Sequence, residues 1–256
     1  MTAIAWHVTS HLVQDRLITP TTAARRLTAR TLLGLPDRYG LLAFSVPDNH
    51  LHLLLACDRV TAGRGANKAE GCLVKRLQLS VGFERARLRP VESLRHLENA
   101  LHYIHRQGEH HGSAGDPLGE CNTLWDLLGL RVTGHRCIPR VRAALPRLSR
   151  ADLLRHALVD DLTPGSTLSL LPQAAAAAIA RPDLTGRQPD CRAAKAAAIQ
   201  IVLQQGLSTS FAGSLLRVPL RSAHRLKRTP VPAPLLKAIR LQLGLREAIG
   251  AQSSAA

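Results

Sequence analysis

Two histidines flank one leucine in the run Asn49-His50-Leu51-His52-Leu53-Leu54-Leu55. Side chains on an extended strand alternate between faces, so His50 and His52 point one way and Leu51, Leu53 and Leu55 the other. Two imidazoles on one sheet face make half of a divalent metal site. Such a pair also arises by chance in a chain with 12 histidines, so the weight falls on a second element further along. In Leu94–Gln107, Leu94, Leu97, Leu101 and Ile104 recur at helical spacing and predict an amphipathic helix. Tyr103 and Gln107 stand four residues apart on one side of it, and His96 and Ala100 continue the same stripe. A phenol can attack a phosphodiester when a metal polarises the phosphate. An amide oxygen of Gln107 suits a hard divalent ion as third ligand beside two imidazoles. The alternative for Tyr103 is a half-buried ring with its hydroxyl in water.

At these residues the chain resembles the single-tyrosine transposases of the HUH endonuclease superfamily, especially their REP-associated branch. That family has a strand ending in Pro-Asn-His-x-His-Leu-Leu-Leu and a later helix with Tyr-Ile-x-x-Gln, often followed by His-His. Here the first motif reads Val46-Pro47-Asp48-Asn49-His50-Leu51-His52-Leu53-Leu54-Leu55. The second reads Tyr103-Ile104-His105-Arg106-Gln107-Gly108-Glu109-His110-His111, and Trp6-His7-Val8-Thr9-Ser10 matches the family's opening strand. Asp48 is an extra residue before the Asn-His pair, able to alter the turn or to shift the histidine register. The resemblance covers residues 1–112. It implies an α+β fold of ferredoxin-like or RRM-like type, an antiparallel sheet with helices on one face. It also implies binding of single-stranded DNA beside a hairpin, cleavage with Mg²⁺ or Mn²⁺, a covalent 5′-phosphotyrosine and rejoining by a second strand's 3′-OH. Carried over by position, His50 and His52 hold the metal, Gln107 completes the site and Tyr103 is the nucleophile.

The formal net charge of +16 favours a polyanionic partner, and 34 Lys plus Arg, nearly all Arg, suit phosphate. Aromatic residues make up only 3%, which argues against broad base-stacking platforms and weakens an RNA-binding reading of the sheet. The five cysteines, Cys57, Cys72, Cys121, Cys137 and Cys191, form no Cys-x-x-Cys pair and point to reduced thiols in a cytosol. Cys121, His135 and Cys137 lack a fourth zinc ligand. Met1–Leu12 does not read as a signal peptide, and the longest apolar run, Ala174–Ala180, is too short to cross a bilayer. The expected setting is cytoplasmic, at the nucleoid when bound to DNA, with no membrane partner and a homodimer left open.

These residues need a scaffold. Strands are expected at 4–14, 39–46, 49–56 and 83–89, with helices from a Thr19-Pro20 cap to Leu33, over 67–80 and around Tyr103. Thr61–Ala66, with two glycines, reads as a turn or loop. The order suits helices on one sheet face, leaving the other face for the metal. Lys75 and Arg76 on the second helix, and Arg85, Arg87 and Arg89 on the last strand, are candidate phosphate contacts. Gly108–Pro117 reads as a linker, Asn122–Leu130 as an apolar helix with Trp125 as a core anchor, and Ser149 as a helix N-cap. The expected division is a catalytic domain at 1–112, a basic helical connector at 113–189 and a DNA-binding region at 190–256.

In that last region, helix Cys191–Gln205 ends at Gly206-Leu207-Ser208. A short helix Thr209–Leu216 and a basic helix Leu220–Arg228 follow. This order fits a helix-turn-helix and resembles the three-helix DNA-binding domains of bacterial regulators. Arg221, Ser222 and Arg225 would face a groove, and Lys227 and Arg228 the phosphates. An ordinary helical bundle with a basic surface is the alternative. Two functions therefore stand open: a metal-dependent DNA strand transferase, and a non-catalytic DNA-binding regulator built on the same scaffold.

Overall fold

A computed structural model describes residues 3–107, 119–134, 136–157, 159 and 161–254. The linker read at Gly108–Pro117, the His110-His111 pair and His135 lie outside the described residues. The chain divides into two compact units, one of residues 1–128 and 134–160, the other of 129–133 and 161–256.

The first unit is α+β, built on a four-stranded antiparallel sheet of β1 (Ala5–His11), β2 (Leu41–Ser45), β3 (His50–Leu55) and β4 (Arg87–Val91), in the order β2-β3-β1-β4. Helix α1 (Thr22–Leu33) joins β1 to β2, and α2 (Arg59–Leu77) joins β3 to β4, so each crossover skips one strand. One sheet face carries Val8, Leu12, Leu51, Leu53 and Leu55, in one core with Ala29 and Leu32 of α1 and Ala62, Ala66, Ala69 and Leu73 of α2. α1 starts at Thr21, whose side chain accepts from the Ala24 N–H at 3.1 Å, rather than at the expected Thr19-Pro20.

Thr61–Ala66 is helix, not loop: α2 begins at Asp58, whose carboxylate accepts from the Thr61 N–H at 2.9 Å. Its glycine content misleads because Gly65 serves packing, a Cβ there meeting Tyr39 at 3.1 Å and Leu55 at 3.2 Å. Gly40 is required for a stronger reason. Its φ is +59°, and a Cβ would lie 2.2 Å from the Ala56 carbonyl oxygen.

Helix α3 (Leu94–His105) is capped by Ser93, which accepts from the His96 N–H at 3.1 Å. Leu97, Ala100, Leu101 and Ile104 are buried on it, and it packs on β2, β3 and β4. It lies on the face opposite α1 and α2, which corrects the expectation that the helices occupy one face alone. The apolar stripe of α3 needs cover, and the sheet face beside the histidines provides it. Past the undescribed segment the chain lies along the free edge of β2: Val46 N–H donates to the Cys121 carbonyl at 3.0 Å, and Thr123 N–H to that of Phe44 at 3.1 Å. α4 (Leu124–Leu127), α5 (Cys137–Ala144) and α6 (Arg150–His156) complete the unit. Trp125 is 3% exposed, and Ser149 caps α6 in a reciprocal box with Asp152.

These contacts divide the chain differently from the composition-based segments. Residues 120–128 and 137–156 belong with the sheet. Arg26 holds Glu120 through two hydrogen bonds of 2.5 and 3.0 Å, both side chains being almost fully buried. Glu120→Ala should cost about 3–5 kcal/mol by removing the carboxylate that this buried guanidinium pairs with, read as a shift in the urea midpoint. A fragment ending at residue 112 loses the same partner and should be destabilised at least as much; a stable 1–112 fragment contradicts this account.

The second unit is all helical: α7 (Leu171–Ala178), α8 (Pro189–Gln204), α9 (Thr209–Leu215), α10 (Leu220–Leu226) and α11 (Ala233–Ser254). Alanines 174, 175, 176 and 178 of α7 and 194, 196, 197 and 198 of α8 are buried in one core with Ile199, Val202, Ile239 and Leu243. Small side chains let these helices approach closely. No described helix is long and apolar enough to cross a membrane.

Candidate active site

The antiparallel register assembles the site. His11 sits opposite His50, Thr9 opposite His52 and His7 opposite Leu54. Partners across a ladder share a face, so His7, Thr9, His11, His50 and His52 all project from the side opposite the leucine core. Asp48 lies before β3, where its carbonyl accepts from the Ile18 N–H at 3.0 Å.

The imidazoles touch. His50 and His52 have ring centroids 4.8 Å apart and nearly perpendicular planes, and His11 stacks on His50 at 5.1 Å. His7 Nε2 lies 3.1 Å from His52 Nδ1, with Thr9 Oγ1 at 3.4 Å from the same nitrogen. His50 Nδ1 lies 3.0 Å from Asn49 Oδ1. Tyr103 stands beside His52 and His7, its ring 5.6 Å from the first and 5.8 Å from the second, while 47% of the residue remains exposed.

Gln107 lies one turn on from Tyr103, with its Nε2 donating to the Tyr103 carbonyl at 3.1 Å. That bond fixes the amide and leaves Oε1 buried without a hydrogen bond of ordinary geometry. The same holds for His52 Nε2. The two groups are neighbours, and hydrogen bonding between the Gln107 side chain and the ring acts to raise the His52 pKa. Burial first, then His50 and His7, nevertheless push it down to about 2. His7 is lowered to about 4 by burial, with Arg89 and His96 adding to it. Both rings are therefore neutral near pH 7 and offer lone pairs rather than charge.

Gln107 Oε1 and His52 Nε2 are buried outside ordinary hydrogen-bond geometry, and an amide oxygen and an imidazole nitrogen are both donor types that a cation accepts. No three His, Cys, Asp or Glu side chains among the described residues are placed to hold an ion. His50, His52 and Gln107 offer two imidazoles and one amide oxygen, donor types that a divalent ion accepts.

The arginines sort unevenly. Arg87 pairs with Thr9 and Arg89 with His7, so both lie exposed on the histidine side at the sheet edge. Arg85 precedes β4, which begins at Arg87, four residues later than expected. Lys75 and Arg76 end α2, on the opposite face, and are not brought to the histidines.

His7, His11 and Asn49 were not singled out as site residues from the sequence. The available signal was the four-residue spacing of His7 and His11 in an expected strand. A second cluster also went unread: His102 Nδ1 lies 2.6 Å from His156 Nε2, and His105, bonded at Nε2 to Thr123 Oγ1 at 3.2 Å, is lowered to about 3 by burial and then by His156 and His102.

In the second unit, α9 and α10 pack on each other and on α8. α9 is capped by Ser208, which accepts from the Phe211 N–H at 3.1 Å. Ala223 and Leu226 of α10 face inward. Arg221, Arg225 and Arg228 are exposed at three- and four-residue intervals, while Ser222 and Lys227 are half-buried. Compared with protein-family models, with curated proteins and with solved structures, the chain matches none.

Proposed function

We propose that the first unit is a metal-dependent single-stranded DNA nickase and strand transferase of the HUH transposase type, on a ferredoxin-like fold. The observation that carries this reading is Tyr103 set against His52 and His7, with the buried Gln107 side chain acting on the same His52 ring. His50, His52 and Gln107 would hold Mg²⁺ or Mn²⁺, which when bound polarises the scissile phosphate and stabilises charge on the leaving oxygen. The Tyr103 phenolate oxygen attacks phosphorus, forming a Tyr–O–P bond to the 5′ side as the P–O3′ bond breaks. The phenol proton passes to solvent and the released O3′ takes one up, giving a 3′-OH. Attack by a second strand's 3′-OH reverses the exchange and frees the tyrosine, as DNA transposition or mobilisation of a repeat element requires. Arg87 and Arg89, on the same side, fit the strand's phosphates.

The second unit fits a helix-turn-helix reading with α10 as the helix entering a groove. Arg221 and Ser222 would meet base edges with Arg225, and Lys227 and Arg228 the phosphates. Affinity for duplex or hairpin DNA should fall by about 10³-fold or more between 50 and 200 mM salt. Arg228→Ala should reduce the log–log salt slope by about 1. Salt-insensitive binding contradicts this reading.

The function itself is tested by incubating the full chain with labelled single-stranded hairpin DNA and Mn²⁺ and running a denaturing gel. A nicked product with a protein-linked band is expected. Salt-sensitive DNA binding with neither band is the behaviour of a regulator that keeps the scaffold without the chemistry.

A further inference from the structure

Asn49 sits between a carboxylate and a candidate metal ligand. Its Nδ2 donates to Asp15 Oδ1 at 2.8 Å, and its Oδ1 lies 3.0 Å from His50 Nδ1. A carboxylate can only accept, so the amide must turn its NH₂ to Asp15 and its oxygen to His50. An amide oxygen can also only accept, so His50 Nδ1 must carry the ring hydrogen. The neutral ring then has its lone pair at Nε2.

The backbone is arranged to hold Asp15 there. Gln14 and Asp15 both adopt left-handed φ values, +66° and +50°, although neither is glycine. Such residues persist where surrounding contacts over-determine them. Here Leu12 N–H donates to the Asn49 carbonyl at 2.7 Å and Ile18 N–H to the Asp48 carbonyl at 3.0 Å, stitching the segment across the entry to β3 on both sides of Asp15. Val13 N–H is tied to the Gly82 carbonyl at 3.0 Å.

We propose that Asp15 and Asn49 are positioning residues: the Asp15–Asn49–His50 relay locks His50 as its Nδ1–H tautomer and so presents Nε2 to the ion. The inference rests on the metal reading above and extends it to residues that touch neither ion nor DNA.

The test combines imidazole ¹⁵N spectra of the metal-free full chain with Mn²⁺ titration followed by electron paramagnetic resonance. The wild type should show His50 protonated at Nδ1. Asn49→Leu should give mixed tautomers and weaken Mn²⁺ binding about 10- to 100-fold. Asp15→Asn, which tolerates the same backbone and still accepts from Asn49, should stay near wild type. Asp15→Gly relieves the backbone but lets the amide flip, so it should lose Mn²⁺ affinity, at the lower end of that range, without losing thermal stability. That split excludes a merely structural role and holds even where Asn49→Leu fails to fold. A wild-type His50 protonated at Nε2, or unchanged Mn²⁺ affinity in Asp15→Gly, overturns the proposal. An Nδ1–H tautomer in a wild type that binds no Mn²⁺ preserves the relay and overturns the metal reading it serves.

Discussion

Tyr103→Phe should abolish cleavage and the covalent DNA adduct, a loss on the order of 10⁴-fold or more as expected when a nucleophile is removed, while DNA affinity stays near that of the wild type. The substitution deletes one oxygen and keeps the ring that packs edge-on to His52 and His7. No metal concentration should restore activity. Tyr39 is the chain's other tyrosine, and it cannot substitute: it is 4% exposed, and its ring lies against Gly65 in the core on the other sheet face. Single-turnover cleavage of labelled DNA reads the first effect, and equilibrium binding the second. Residual cleavage by Tyr103→Phe contradicts the mechanism.

The second large effect is on the ion. His52→Ala and His50→Ala should each weaken Mn²⁺ binding by more than the about 10- to 100-fold seen when only an outer partner of a ligand is lost. Cleavage should fall with it and return in part at high Mn²⁺ or Mg²⁺, the response that separates these variants from Tyr103→Phe. Chelation of the wild type should stop cleavage yet leave the salt-sensitive DNA affinity, since the exposed arginines of α10 do not depend on the metal. Metal-independent cleavage, or equal Mn²⁺ affinity in His52→Ala, runs against the assignment of the ligands.

The parts of this site legible in the sequence are those set by one element's own geometry. Strand alternation placed His50 and His52 on one face, and helical spacing placed Tyr103 and Gln107 on one stripe. What joins β1 to β3 is pairing between distant segments, which local periodicity does not encode. Thus His11 opposite His50, and His7 against His52, emerged only with the register. Non-local partners also explain the domain boundary. Glu120 belongs to the first unit because Arg26, far away in sequence, is buried against it. Composition marks only a polar break between them. The glycines near residue 63 read as a loop by propensity. The helix forms there because Gly65 lets it lie closely against Tyr39 and Leu55, a tertiary gain that outweighs the local cost. The relay through Asp15 was illegible for a related reason, since it depends on left-handed residues that no sequence rule places at Gln14 and Asp15.

The most direct test of the central claim is mass mapping of the peptide that stays linked to DNA after reaction of the full chain with hairpin-containing single-stranded DNA and Mn²⁺. The account predicts one adduct, a phosphotyrosyl bond at Tyr103 to the 5′ side of the cut, absent when the metal is chelated. An adduct on Tyr39 or on any other residue, or no adduct from a protein that nicks the same DNA, contradicts it.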